Sequence, residues 1–253
     1  MAPVSHRLRT ALFYQDGNFV GREYFAHLAA GGQQPNLLIA VGKMTTESAT
    51  IEHERTAGRW SPPEIPRNLS IRRFSQLDDP AIVDLIAEQS IDVAIQAGVG
   101  LIREPLLSAP AFGFVNVHPG ALPAYRGSAC PEWAILENTP VVLTAHRIDA
   151  GLDTGPVLFS RTMRIDPDWE YFDFRSNLYE HCAEVLVDAL RQLETTAPAK
   201  REALLLPQPV KGGRTLKRMG EEDTARVRAS FAGWATRMAV LADNGAMARK
   251  ASK

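Results

Sequence analysis

Apolar residues fall in short blocks separated by polar or glycine-rich breaks. TALFYQ (10–15) is a compact apolar run closed by Asp16-Gly17-Asn18, which predicts a strand and a turn. Val20, Tyr24, Phe25 and Leu28 then recur at helical spacing, and Gly31-Gly32 ends that helix. NLLIAVG (36–42) predicts a second strand. Residues 43–68 lose periodicity and hold Trp60, Pro62, Pro63 and Pro66, which predicts a long loop. Strands are expected at 69–74, 92–98 and 112–118, with helices at 79–89 and, briefly, 102–108. A helix over about 129–138 follows, then two paired strands at 141–149 and 156–165 joined by AGLDTG. Leu178, Cys182, Val185, Leu186, Ala189 and Leu193 share one face of a long helix over 171–194. Val227, Phe231, Trp234, Met238 and Leu241 repeat that pattern over 224–241. Between these helices, Leu204–Leu206 and Arg214–Leu216 are candidate short strands in a stretch that is mostly loop.

Strands alternating with helices over the first 140 or so residues predict an α/β fold, a Rossmann-like, mostly parallel sheet with helices on both faces. Residues 1–196 make the expected catalytic domain and 197–253 a small C-terminal strand/helix extension. Ligands of such sheets bind beyond the carboxyl ends of the strands, here near 98–100 and 116–120. No Gly-x-Gly-x-x-Gly follows the first strand, so a dinucleotide cofactor is not expected.

Composition narrows the classes. The chain has 253 residues, 45% of them hydrophobic and 23% charged, with net charge −1, so neither a generic nucleic-acid binder nor a disordered chain is indicated. Two cysteines, Cys130 and Cys182, exclude a disulfide scaffold. No apolar run approaches the ~20 residues that span a bilayer, and MAPVSHRLRT lacks a signal-peptide core, so a cytoplasmic protein without a membrane partner is expected. From Lys200 onward 12 basic residues stand against 5 acidic ones, leaving that segment at +7 and the rest at −8. Such a tail either meets an anionic partner or is a solvated helix face.

The densest polar signal is Asn116-Val117-His118-Pro119-Gly120. On a strand Asn116 and His118 point together while Val115 and Val117 face packing. An amide beside an imidazole at a strand end can stabilise an oxyanion and relay a proton. A carboxylate that holds the imidazole would complete the set. Asp153, in Gly151-Leu152-Asp153-Thr154-Gly155, is the candidate and Asp149 its rival. His146 reads as a packed histidine and Cys130 as a small buried residue. Arg126 is open between an anionic acceptor and a surface pair, and Trp60 between stacking on an acceptor and anchoring its loop. His53 with Glu52 and Glu54 shows no zinc-like spacing, so no metal is expected.

NVHPGALPAYRGSACPEWAILEN followed by HRIDAGLDTGPVL resembles the 10-formyltetrahydrofolate-dependent formyltransferases. That family includes glycinamide ribonucleotide transformylase, methionyl-tRNA formyltransferase and nucleotide-sugar N-formyltransferases. Two motifs match in order, Asn-x-His-Pro-x-x-Leu-Pro-x-Tyr-x-Gly and Asp-x-Gly-x-Asp-x-Gly-Pro. The resemblance is specific over about 92–160 and poor over 43–68 and beyond 165. It implies one-carbon group transfer from 10-formyltetrahydrofolate as co-substrate. Asn116 would stabilise the oxyanion, His118 would polarise the formyl oxygen and help move the amine proton, and Asp153 would hold His118 and a shuttling water. It also implies a pterin pocket at Gly98, Val99, Gly100, Leu101, Ile102 and Leu107 with the loop from Asp149 through Gly151 to Asp153, and a cis Leu122–Pro123 bond. The expected acceptor is a small-molecule amine such as a nucleotide-linked amino sugar. tRNA is less expected, because the residues after about 200 leave no room for the further C-terminal domain of methionyl-tRNA formyltransferases. A formyltetrahydrofolate hydrolase and a non-catalytic folate-binding protein are the alternatives. The Val227–Leu241 stripe either packs on its own chain or forms a homodimer seam.

Overall fold

The computed structural model describes residues 7–209 and 212–251, the last ten of these by backbone alone. Seven strands form one sheet: β1 (Thr10–Asp16), β2 (Leu37–Lys43), β3 (Ile71–Phe74), β4 (Val93–Ala97), β5 (Gly113–His118), β7 (Val142–Arg147) and β8 (Val157–Thr162). Their order is β3-β2-β1-β4-β5-β7-β8, parallel through β5 and antiparallel from there to β8. This is the expected mostly parallel α/β sheet. Strand parity explains its two cores. Leu12 and Tyr14 of β1 with Val93, Ile95 and Ala97 of β4 enter one core, and Ala11, Phe13 and Ala94 enter the other. A strand buried on both faces reads as a continuous apolar run, which is why TALFY and VAI stood out.

Helices α1 (Phe19–Ala30) and α5 (Tyr171–Thr195) cover the first core, and α3 (Pro80–Glu88) covers the second. Asn18 caps α1 by accepting from Gly21 N, and Asp79 caps α3 by accepting from Ala81 N ahead of Pro80 at the first turn. The Leu122–Pro123 bond is cis, as expected, and so is Glu104–Pro105.

Three expectations change. Residues 43–68 are not all loop, because α2 spans Thr46–Thr56, capped by Thr45. Thr56 is the one residue α2 buries, so it carries no apolar stripe for periodicity to register. The 102–108 helix shrinks to a single 3₁₀ turn, Leu106–Ser108, after Pro105. Leu241, expected on the apolar face of the last helix, is exposed.

The extension folds back beside the sheet. Its α6 (Glu221–Ala251) packs on α4 (Cys130–Leu136). Phe231 and Trp234 join Tyr171 and Phe174 of α5 in one aromatic cluster, and Trp234 Nε1 donates to Thr139 O at 2.9 Å. Val227, Phe231, Trp234 and Met238 are therefore buried within this chain, so these four pack on their own chain. Upstream, β9 (Thr215–Leu216) pairs in parallel with β6 (Arg126–Gly127), and Leu206 pairs with Val157. The basic tail is partly engaged internally. Arg201 is buried and donates to Leu193 O, and Arg214 is bidentate on Glu137. Lys211 and Lys253 lie outside the described residues, as do the side chains of Arg249 and Lys250. Among the described residues no helix is long and apolar enough to cross a membrane.

Candidate active site

The carboxyl ends of β4 and β5 and the loop from β7 to β8 converge, and Asn116, His118 and Asp153 come together there. Asn116 and His118 alternate with Val115 and Val117, which lie in the core as their parity requires. Across the antiparallel β5–β7 ladder Asn116 faces His146 and His118 faces Thr144. Asn116 Nδ2 donates to both the carbonyl (3.2 Å) and the side-chain oxygen of Gln96 on β4.

His118 is buried. Its Nε2 lies 2.8 Å from Tyr125 O. A carbonyl can only accept, so Nε2 bears the hydrogen and Nδ1 is the nitrogen free to take a proton. Nδ1 lies 3.5 Å from Asp153 Oδ2. Burial pushes the His118 pKa below its ordinary value, while Asp153 and the Tyr125 carbonyl pull it back up. Both ring nitrogens thus face protein groups. Gly120 makes this approach possible, because a Cβ there would stand 2.6 Å from both His118 Nε2 and Tyr125 O.

Asp153 occupies the left-handed region at φ +55°. Its Oδ2 accepts from Gly127 N at 2.8 Å, and its Oδ1 lies 3.8 Å from His146 Nε2. Asp149 does not reach the imidazole. Its Oδ1 accepts from Gly151 N (3.0 Å) and Thr154 Oγ1 (2.6 Å), which makes it the organiser of the turn. His146 is packed, as its strand position suggested, yet it also borders the site. Its Nε2 is buried without a hydrogen-bond partner, and burial lowers its pKa to about 4. A second neutral imidazole therefore faces the same carboxylate.

Two clefts open from this centre. One, of about 510 Å³, is bounded by Gln96, Asn116, Asp149 and Asp153 and walled by Leu101, Ile102, Leu107 and Leu152, with Gly100 and Gly151 on its lining. Leu101 and Leu152 are 62% and 48% exposed, an apolar rim over polar groups that suits a flat heteroaromatic ring. Two expected pocket residues are not in it. Val99 points into the second core, and Gly98 lines the other cleft with its Cα beside Asn18. Past the end of β4 the chain turns, with Gly98 and Gly100 at positive φ, so Val99 goes to the core while Gly100, Leu101 and Ile102 line the cleft.

The second cleft, of about 490 Å³, lies beyond Gly98, Pro119 and Gly127. Its far walls come from α2, the Trp60 loop and α5. Trp60 is buried, stacked on Tyr179 at 4.9 Å, edge-on to Phe19, with Nε1 donating to Glu23 at 2.8 Å. It anchors its own loop. Glu132 and Arg175 form a buried ion pair at 3.0 Å in the floor, joined by the Tyr171 hydroxyl. Arg55 and Arg218 also border the cleft. Arg126 is bound by Gln208. Burial pushes the Cys130 thiol up to about 12, which leaves it inert as a nucleophile. Among the described residues no three His, Cys, Asp or Glu side chains are grouped to hold a metal ion.

Gln96 and Gln208 are site neighbours with no part in the sequence reading, and His146, read there as packed, borders the site as well. The antiparallel register that sets His146 opposite Asn116 was the one usable signal. Gln208 has none, because 55 residues separate it from the loop it touches.

Comparison with known proteins gives a consistent picture. The sequence family described as formyl transferase matches residues 25–190. The chain is 36% identical over 119 residues to the methionyl-tRNA formyltransferase of Deinococcus radiodurans, covering 46% of this chain and 37% of the relative. To that of Chloroflexus aggregans it is 29% identical over 196 residues, covering 74% and 62%. The chain thus spans less than two thirds of the length of these relatives. Among solved structures it is similar to glycinamide ribonucleotide transformylase 1 from Geobacillus kaustophilus, with 26% identity, TM-score 0.53, and 74% and 99% of the two chains covered. A sugar N-formyltransferase from a Shewanella species shares the fold at 16% identity and TM-score 0.52, covering 87% and 86%.

Proposed function

This chain belongs to the formyl transferase family, and we propose that it moves a formyl group from 10-formyltetrahydrofolate to an amine of a small acceptor, such as a nucleotide-linked amino sugar. The observation that carries the reading is the meeting of Asn116, His118 and Asp153, with Asn116 and Asp153 lining one cleft and Gly127, which donates to Asp153, lining the other. One takes the folate and the other takes the amine.

The folate supplies the formyl carbon and, when the amine has displaced it, takes back a proton on the nitrogen that carried it. The residues do the rest. Asn116 turns one N–H from Gln96 to the formyl oxygen as negative charge grows there. Asp153 pairs with His118, accepts from Gly127 on the lining of the acceptor cleft, and favours a positive charge on the imidazole. His118 takes the amine proton at Nδ1 through Asp153 and the water that carboxylate would hold, and returns it by the same relay toward the folate nitrogen. No protein nucleophile is required. Leu101, Leu152 and Ile102 cover the pterin faces, while Gln96 and the 149–153 turn present polar groups to its edge. The domain boundary near 196 belongs to the same reading, with residues 197–253 as an extension that borders the acceptor side.

The methionyl-tRNA formyltransferases among the relatives support a second reading, in which the amine is that of a charged tRNA. The test is a screen of the purified protein with 10-formyltetrahydrofolate against nucleotide amino sugars, free amino acids and methionyl-tRNA, read by mass. A formylated amino sugar is expected. The His118→Ala variant should lose about 10²-fold in turnover while binding folate within a few-fold of the parent. Formate release without a formylated amine would replace the transferase by a hydrolase. Folate binding with no reaction would leave only a binding protein.

A further inference from the structure

Gln208 lies in the C-terminal extension, beyond the residues 25–190 that match the family. Two residues before it, Leu206 exchanges backbone hydrogen bonds with Val157 (2.9 and 2.8 Å), which brings the segment alongside the 149–155 loop. The Gln208 amide then uses every polar position it has. Nε2 donates to Asp153 O at 3.0 Å and to Gly155 O at 2.6 Å. Oε1 accepts from Arg126 Nε at 3.1 Å and Nη2 at 2.8 Å. Arg126 precedes Gly127, whose N–H holds Asp153 Oδ2. One side chain therefore ties the backbone of Asp153 to the strand that grips its carboxylate.

The loop needs such a tie. Asp153 sits at φ +55°, a conformation that persists only where surrounding contacts over-determine it. Gly155 leaves no slack either, since a Cβ there would lie 1.8 Å from Arg147 O. The Asp149 contacts to Gly151 and Thr154 are internal to the loop and do not fix it relative to His118. Among the described residues Gln208 is the one side chain from outside the loop that hydrogen-bonds its backbone.

We propose that Gln208 is a positioning residue that sets the Asp153 carboxylate against His118, so that the C-terminal extension is part of the catalytic apparatus. The catalytic part of this inference rests on the proton-relay reading of those two residues; the geometric part does not.

The groups facing His118 are Asp153, His146 and the Tyr125 carbonyl. Of these, a Gln208 variant displaces Asp153. The experiment compares the parent with Gln208→Ala and Gln208→Glu, first by NMR titration of the histidines in ligand-free protein, then by steady-state formyl transfer. Gln208→Glu keeps the size and the Arg126 contact but has no N–H for the two carbonyls. In both variants the His118 midpoint should move to lower pH and the Gly127 amide resonance should shift. Turnover should fall about 10- to 100-fold, with KM for both substrates within about twofold. Gln208→Glu should not rescue Gln208→Ala. An unmoved His118 titration overturns the proposal, even if melting temperature drops, because that is the pattern of a merely structural contact. Full activity in Gln208→Glu overturns it as well. Should the parent transfer no formyl group, the titration still decides the geometry while the activity reading falls by itself.

Discussion

The two clefts that flank the Gly127–Asp153 hydrogen bond are built in different ways. The cleft beside Leu101 and Leu152 comes from strand ends and one short turn: Gln96 on β4, Asn116 on β5 and the loop that follows β7. Two of its walls, Leu101 and Leu152, stand in solvent. The other cleft is assembled from distant elements: α2, the Trp60 loop, α5 and Arg218 after β9. Its floor is a buried ion pair and its wall a stacked aromatic pair. The first side has groups free to meet a ligand without disturbing the fold. On the second, the groups that border the ligand space are also those that hold elements together, so shape there is tied to stability.

That contrast sets the expected size of substitutions. Glu132→Ala should act most strongly, because it leaves the Arg175 guanidinium buried without its counter-charge. A loss of about 3–5 kcal/mol is expected, read as urea or thermal unfolding. An intact stability would mean that the floor of the second cleft is not structural, and the contrast would collapse. Asp153→Asn comes next, with about 10²-fold lower turnover. The Asp153 charge raises the His118 pKa. Its removal lowers that pKa, so the acidic limb of the pH–rate profile should move to lower pH, and a limb that stays in place or moves upward contradicts the His118–Asp153 pairing. Leu101→Asp is the mildest. Loss of an exposed apolar cover should weaken folate binding about tenfold by titration calorimetry, with melting temperature and acceptor KM unchanged. An equal effect on the acceptor would show that the clefts are not independent.

The same contrast decides what could be read from sequence. Strands buried on both faces announce themselves as apolar runs, and Asn116 and His118 follow from strand parity alone. The sheet and one wall of the site were therefore legible. Residue types did not separate Asp153 from Asp149, because both sit in one glycine-flanked turn. Only the path of the chain, with Asp153 left-handed and Asp149 capping Gly151 and Thr154, sends one inward and the other back on the loop. On the other side, α2 has no apolar face to betray it. The partners of Glu132 and Arg126 lie 43 and 82 residues away, at Arg175 and Gln208. Local pattern carries no information on such pairs, which form because the fold brings them together and burial demands that they be satisfied.

The parallel pairing of Arg126–Gly127 with Thr215–Leu216 also dictates an order of events during synthesis. A nascent chain that has emerged as far as Leu193 already holds all seven strands of the sheet and the long helix that covers it. It still lacks the segment that closes beside Gly127. The core beneath α5 also waits for Phe231 and Trp234, so the strand pair beside Gly127 and the aromatic cluster are the last parts of the molecule to be completed.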